Sequence, residues 1–187
     1  DILVMGSHGR GGLKRALLGS VTERVLRTTN VPVIVIPRDD GVDESGGGSY
    51  KDLLLPTDGS ENADVAVEWG IDLAAAYDAT VHTVYSVDTS WLAEIEGTDD
   101  LYDAIEESGR NALESVQRRA RAADVSVAAT IGSGPAAEVI LSYCEDHDIG
   151  MVVMGTHGRS GIERYVMGSV TETVVRNADV PVCCVPM

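Results

Sequence analysis

The feature that most constrains this chain is a duplication: laid on itself at an offset of 149, the sequence aligns residues 1–37 with 150–186 without a gap, and 19 of those 37 positions are identical. The matched positions include Met5/Met154, Gly6/Gly155, His8/His157, Gly9/Gly158, Gly19/Gly168, Ser20/Ser169, Glu23/Glu172 and Pro32/Pro181. A period this long repeats a domain rather than a solenoid unit. Between the copies, residues 38–50 are rich in Asp, Gly and Ser, contain Gly46-Gly47-Gly48, and have the composition of a flexible linker. The expected division is residues 1–37 as the C-terminal part of a first domain, 38–50 as linker and 51–187 as a complete domain. The first copy lacks the strands that would bury Leu3, Val4 and Met5, so it must lean on the second domain, on another chain, or on residues outside this sequence.

Within the second copy, Asp52 to Thr57 is a short apolar run closed by the turn-forming Asp58-Gly59-Ser60 and reads as a buried strand. From Glu61 to Tyr77, Ala63, Ala66, the adjacent Trp69 and Gly70, Leu73 and Tyr77 recur at a helical spacing of three to four, predicting a helix capped by Ser60. Ala79 to Val87 reads as a second strand. Asp100 to Asp124 follows as a helix, with Ile105, Leu113, Val116 and Ala120 on its inner face, and Val125 to Ile131 as a third strand. Pro135 opens a helix to about His147, and Ile149 to Met154 is apolar on both faces, as central parallel strands are. A helix from Ser169 and a strand from Val180 to Val185 close the chain. This alternation predicts a doubly wound, five-stranded parallel α/β sheet, with a partial copy of the same fold before it. In such sheets ligands settle at the carboxyl ends of strands where the winding reverses.

A length of 187 residues and 44% hydrophobic content supply a substantial core. The net charge of −16 argues against nucleic acid and anionic membranes as partners. Lys14 and Lys51 are the only lysines and Phe is absent, so the surface charge is largely carboxylate. That composition points to a halophilic source, for which unfolding on dilution into low salt is the expected outcome. No apolar run approaches the roughly 20 residues that span a bilayer, and a cytoplasmic location is expected. Cys144, Cys183 and Cys184 lack the spacing of a zinc site or a disulfide framework and read as reduced.

The chemistry lies in Gly155-x2-Gly158-x9-Gly168-Ser169-Val170-Thr171. Gly155 removes a side chain that would hold a phosphate off the backbone, and Gly158 is expected to permit a tight turn with positive φ. Gly168-Ser169 opens a helix whose unpaired amides and dipole favour negative charge. Two loops thus converge on one phosphate chain. No P-loop lysine follows, so neutralisation falls to amides, hydroxyls, Arg159 and a Mg²⁺ ion held by the phosphates, which favours binding over fast hydrolysis. Ser169-Val170-Thr171-Glu172 also reads as a capping box, giving Ser169 a structural alternative.

The stretches PTDGS (Pro56 to Ser60), MGTHGRSG (Met154 to Gly161), GSVTE (Gly168 to Glu172) and the terminal VPVCCVP resemble the universal stress proteins, UspA-like and of the ATP-binding branch, in a tandem form with an incomplete first domain. The resemblance implies a Rossmann-like sheet of the adenine nucleotide alpha hydrolase type, dimer formation through the last strand, and ATP, ADP or AMP at the glycine loop. It places Asp58 against the adenosine, with Pro56 and Thr57 beside it and Met154 at the adenosine end of the fourth strand. Gly155, Gly158, Gly168 and Ser169 then hold phosphate and ribose, with Val170 and Thr171 as further contacts. Where the family often has a His-Val pair against adenine, this chain has Tyr85-Ser86, which puts Ser86 at that position as a departure from the pattern.

His8 and His157 invite an acid/base role, against which stands a loop histidine bonded to backbone; no nucleophile has a matching partner, and no catalytic residue is assigned. Arg10 and Arg159 reach toward phosphate or toward solvent. Cys183-Cys184 aligns with Ile34-Val35 and reads as small hydrophobic packing. Glu94, Glu96, Asp99, Asp100 and Asp103 read as a solvated loop and helix start rather than a metal site. The last strand would be an exposed apolar edge unless covered. Its repeat, Val31 to Ile36, is the expected cover, either within one molecule as a pseudo-dimer or across a homodimer. The function expected is a nucleotide-binding, stress-response regulatory module. A slow ATPase or phosphotransfer enzyme and an assembly domain without nucleotide are the alternatives.

Overall fold

The computed structural model describes residues 1–7, 18–37, 50–89, 99–158 and 167–186, with only the backbone described at Asp99. The elements run β1 (Leu3–Gly6), α1 (Ser20–Thr28), β2 (Val33–Ile36), β3 (Asp52–Pro56), α2 (Glu61–Tyr77), β4 (Thr80–Val87), α3 (Asp99–Ala122), β5 (Val127–Ser133), α4 (Ala136–Asp146), β6 (Met151–Gly155), α5 (Ser169–Asn177) and β7 (Val182–Val185). Of the linker expected at 38–50, residues 38–49 lie outside the described residues.

The strands form one sheet in the order β1-β2-β7-β6-β3-β4-β5. Seven strands replace the expected five because the N-terminal segment does not stand apart: β2 pairs antiparallel with β7, matching Val33 to Cys184, Ile34 to Cys183 and Val35 to Val182. The remaining pairs are parallel. From β3 the chain winds out through β4 to β5, then returns to the other side of β3 for β6 and β7. The winding therefore reverses between β3 and β6, where Leu53 pairs with Met151 and Leu54 with Val152.

β7, which would be an exposed edge without the cover expected from its repeat, lies inside the sheet with all four residues buried. Its apolar side chains and free backbone are covered by β2, and the open edge passes to β1, where Leu3 is 44% and Val4 65% exposed. Met5 is half-buried and packs on the core. That core is shared: Leu26, Val33 and Val35 from the N-terminal segment cluster with Val152, Val174, Val182 and Cys184. The other face of the sheet packs Leu53, Leu55, Val81 and Val153 against Ala66, Val67, Ile71 and Val116.

α2 is capped by Ser60, whose hydroxyl accepts from the Ala63 N–H at 3.2 Å. It ends at Asp78, left-handed at φ 54° with its N–H on the Ala74 carbonyl, a conformation that Asp tolerates better than most residues. Its buried stripe is Ala63, Ala66, Val67, Gly70, Ile71 and Ala74. Trp69 and Leu73 are only half-buried and Tyr77 is 71% exposed, so the inner face is rotated from the one read from sequence. Small residues won because the helix sits close to the sheet: a Cβ on Gly70 would lie 2.5 Å from the Leu55 side chain. On α3 the expected face holds, with Leu113, Val116 and Ala120 buried and Ile105 half-buried, while Asp100 and Asp103 are exposed. Glu94 and Glu96 lie outside the described residues.

Candidate functional site

At the β3/β6 reversal the chain leaves the sheet twice, at Thr57 and at Thr156. The Thr57 N–H still bonds the Val84 carbonyl of β4 (3.0 Å) and Thr156 N–H that of Val185 (3.1 Å), so both turns start from fixed points. Asp58 holds its own turn, Oδ1 accepting from the Ser60 N–H at 2.9 Å, while Thr57 Oγ1 accepts from the Gly59 N–H at 3.1 Å. Across from it, Gly168 N–H donates to the Thr156 carbonyl at 2.8 Å, which brings the start of α5 against the strand end. The buried Thr171 hydroxyl donates to the Gly155 carbonyl at 2.8 Å and locks helix and turn together.

The result is a cleft of about 290 Å³ lined by Pro56, Thr57, Asp58, Ser86, Met154, Gly155, His157, Gly158, Gly168, Ser169, Val170 and Thr171. These are the residues singled out from sequence except Arg159, which lies outside the described residues, as do His8, Gly9 and Arg10. Four further lining residues were not anticipated: Ala63 on α2, Val84 on β4, and Ala136 and Ile140 on α4. All four are apolar, and the signal that could have found Ala136 and Ile140 is their one-turn spacing behind Gly134, which stands at φ +114°.

Two expectations are corrected in detail. The glycines at positive φ among the described residues are Gly59 and Gly134, not Gly158. Gly158 instead leaves room for the Asp58 carboxylate, since a Cβ there would lie 2.9 Å from Asp58 Oδ2 and push that side chain aside. The capping box at Ser169 does not form either: Gly168, extended at φ −60° and ψ 141°, is the N-cap, and there is no side-chain cap bond. Ser169 is the first helical residue, one position too late to cap, and Glu172 turns instead to an ion pair with Arg176. The Ser169 side chain is exposed at the cleft, beside first-turn amides that have no carbonyl within the helix.

His157 Nδ1 and Thr156 Oγ1 share a hydrogen bond at 2.9 Å, while buried Nε2 has no partner among the described residues. Thr171, with its hydroxyl committed to Gly155, acts as a strut. None of the lining residues is Lys or Arg, so among the described residues the cleft's positive potential comes from backbone amides and the α5 dipole. Among the described residues that line it, Asp58 is the one carboxylate.

Comparison with known proteins is consistent across sequence and fold. The family model described as the Universal stress protein family matches residues 1–37 and 49–186. Universal stress protein MJ0531 of Methanocaldococcus jannaschii is 35% identical over 144 residues, covering 75% of this chain and 85% of the relative. Universal stress protein Rv2005c of Mycobacterium tuberculosis is 30% identical over 187 residues, covering 97% of this chain and 60% of the relative. This chain therefore spans about three fifths of that relative's length. The crystal structure of a universal stress protein from Archaeoglobus fulgidus is similar at a TM-score of 0.68 and 26% identity, covering 99% of this chain and 60% of that one. As a likeness of fold alone, a universal stress protein crystallised in complex with cAMP gives a TM-score of 0.55 at 22% identity, covering 73% of this chain and 97% of that one. Among the described residues, no helix is long and apolar enough to cross a membrane.

Proposed function

Because the chain belongs to the universal stress protein family, we propose that it binds ATP or a related adenine nucleotide in the β3/β6 cleft and serves as a stress-response binding and regulatory module. The observation that carries this reading is the convergence, on one cleft at the winding reversal, of the Gly155–Gly158 turn, the first-turn amides of α5 and the Asp58 turn. Backbone amides at a helix start are suited to phosphate. The apolar wall of Val84, Ala136, Ile140 and Met154 suits a base. Asp58, between them, suits ribose hydroxyls, which donate. A Mg²⁺ ion would be held by the phosphates, because among the described residues the cleft offers one carboxylate and there is no cluster of metal-ligating side chains.

In this reading residues 1–37 are the end of a first domain and 51–187 a complete one, paired through β2 and β7. The family match in two parts supports it. Binding rather than turnover is favoured, since among the described residues the cleft lining carries no Lys or Arg to stabilise a transferring phosphoryl group. The test is calorimetric titration of nucleotide-free protein with ATP and Mg²⁺, with AMP and cAMP as competitors. Saturable heat and a raised melting temperature are expected; absence of both would overturn the proposal. Phosphate release of several turnovers per second, abolished by one cleft substitution, would favour the ATPase alternative.

A further inference from the structure

The end of the cleft away from the glycine loop is lined by Val84 and Ser86 of β4 and by Ala136 and Ile140 of α4. Of these four, Ser86 alone has a polar side chain. Its hydroxyl carries one proton, and that proton is committed: Ser86 Oγ donates to the Gly134 carbonyl at 2.5 Å. The acceptor is fixed in turn, because the Gly134 N–H bonds the Val87 carbonyl at 3.0 Å and its φ of +114° is a backbone that side-chain-bearing residues rarely adopt. A hydroxyl held this way offers a ligand lone pairs and no proton.

We propose that Ser86 and Gly134 form a base selector, which accepts a hydrogen bond from the exocyclic amine of a 6-aminopurine and disfavours a 6-oxopurine. The proposal rests on the reading of the cleft as a nucleotide site with the base at the apolar end. Against a 6-oxo group, Ser86 either leaves two acceptors facing each other or takes its proton back from Gly134, leaving that carbonyl without its bond. Sites that pair a polar group of the ligand discriminate through the cost of leaving a buried partner unmatched.

The test uses the full chain and three triphosphates that differ at position 6 of the purine: ATP (amine), purine riboside triphosphate (hydrogen) and ITP (oxo). Affinity should fall in that order, with ATP favoured over ITP by about tenfold, the scale of one such bond. In Ser86→Ala the ATP/ITP ratio should shrink to within about threefold, chiefly through weaker ATP. In Gly134→Ala, where the hydroxyl remains but its acceptor is displaced, the ratio should fall part of the way. Equal binding of ATP and ITP by the unmodified chain, or an unchanged ratio in Ser86→Ala, would overturn the selector while leaving the cleft a nucleotide site. Failure of the unmodified chain to bind any of the three would overturn both.

Discussion

Residues 1–37 and 150–186 build the same local object in two different surroundings. Gly19 and Gly168 are both extended N-caps, at φ −62° and −60°. Thr22 donates to the Gly6 carbonyl at 2.9 Å as Thr171 does to Gly155 at 2.8 Å, and Gly19 N–H reaches Ser7 as Gly168 N–H reaches Thr156, both at 2.8 Å. Glu23 pairs with Arg27 as Glu172 pairs with Arg176. Yet β6 is buried throughout, whereas β1 is largely exposed, and Val21 is 69% exposed where its counterpart Val170 lines the cleft. The glycine turn and helix start are set by their own sequence. A cleft needs the wall opposite, and among the described residues β3, β4, α2 and α4 supply it for the second copy.

That contrast is open to test by matched substitutions. The largest difference should come from Gly155→Val against Gly6→Val. The first removes nucleotide binding, a loss of about a hundredfold or more, and also destabilises, since a Cβ at 155 already lies 3.0 Å from the Asn62 carbonyl oxygen. The second should leave affinity within about twofold, because residue 6 faces no Asp58 turn. Equal losses in calorimetry would show that both copies hold ligand. Gly168→Ala is gentler: its Cβ meets the Thr156 carbonyl oxygen at 3.4 Å, an ordinary contact, so the fold should persist while ATP weakens about tenfold.

A stability comparison sharpens the same point without ligand. Val153→Ala, on a fully buried strand position, should cost about 2 kcal/mol in denaturant unfolding. Its counterpart Val4→Ala, 65% exposed, should cost less than about 0.5 kcal/mol. Similar costs would mean that β1 is covered in solution.

The smallest effect concerns the seam, where one copy has Ile34-Val35 and the other Cys183-Cys184. Burial pushes the Cys183 thiol from its ordinary value near 9 up to about 12, and burial followed by the neighbouring Cys183 pushes Cys184 up further. A raised folded value means the stabilisation is complete below pH 9 and is lost as pH rises from about 9 toward 12, because the unfolded chain then releases protons that the fold retains. Melting curves across that window should fall less steeply in Cys183→Ile/Cys184→Val, the residues of the first copy. An unchanged slope would assign the alkaline loss to other groups.

Much of this architecture was legible because it rests on short-range chemistry. The apolar runs of β3 and β6, the Ser60 cap and the Gly-x2-Gly spacing each depend on residues within a few positions of one another. What was misread depended on distant neighbours. Tyr77 fits the α2 period, but how near the helix lies to Leu55 decides which stripe is buried. Gly158 looked like a torsional glycine, whereas its φ is not positive and its near neighbour is the Asp58 carboxylate, a hundred residues earlier. Ser169 has the sequence of a cap and lost that place to Gly168.

From its sequence alone the chain had a doubled glycine turn, an alternating α/β order and a last strand in need of a cover, since periodicity and turn chemistry are written locally. Only the tertiary structure decided that the cover comes from β2 of the same chain, that the sheet has seven strands, and that Val84, Ala136 and Ile140 close the cleft with Ser86 bound to Gly134. Strand pairing and cleft walls join residues far apart in sequence, and their arrangement is settled by which buried surfaces and backbone groups find partners when the whole sheet is assembled.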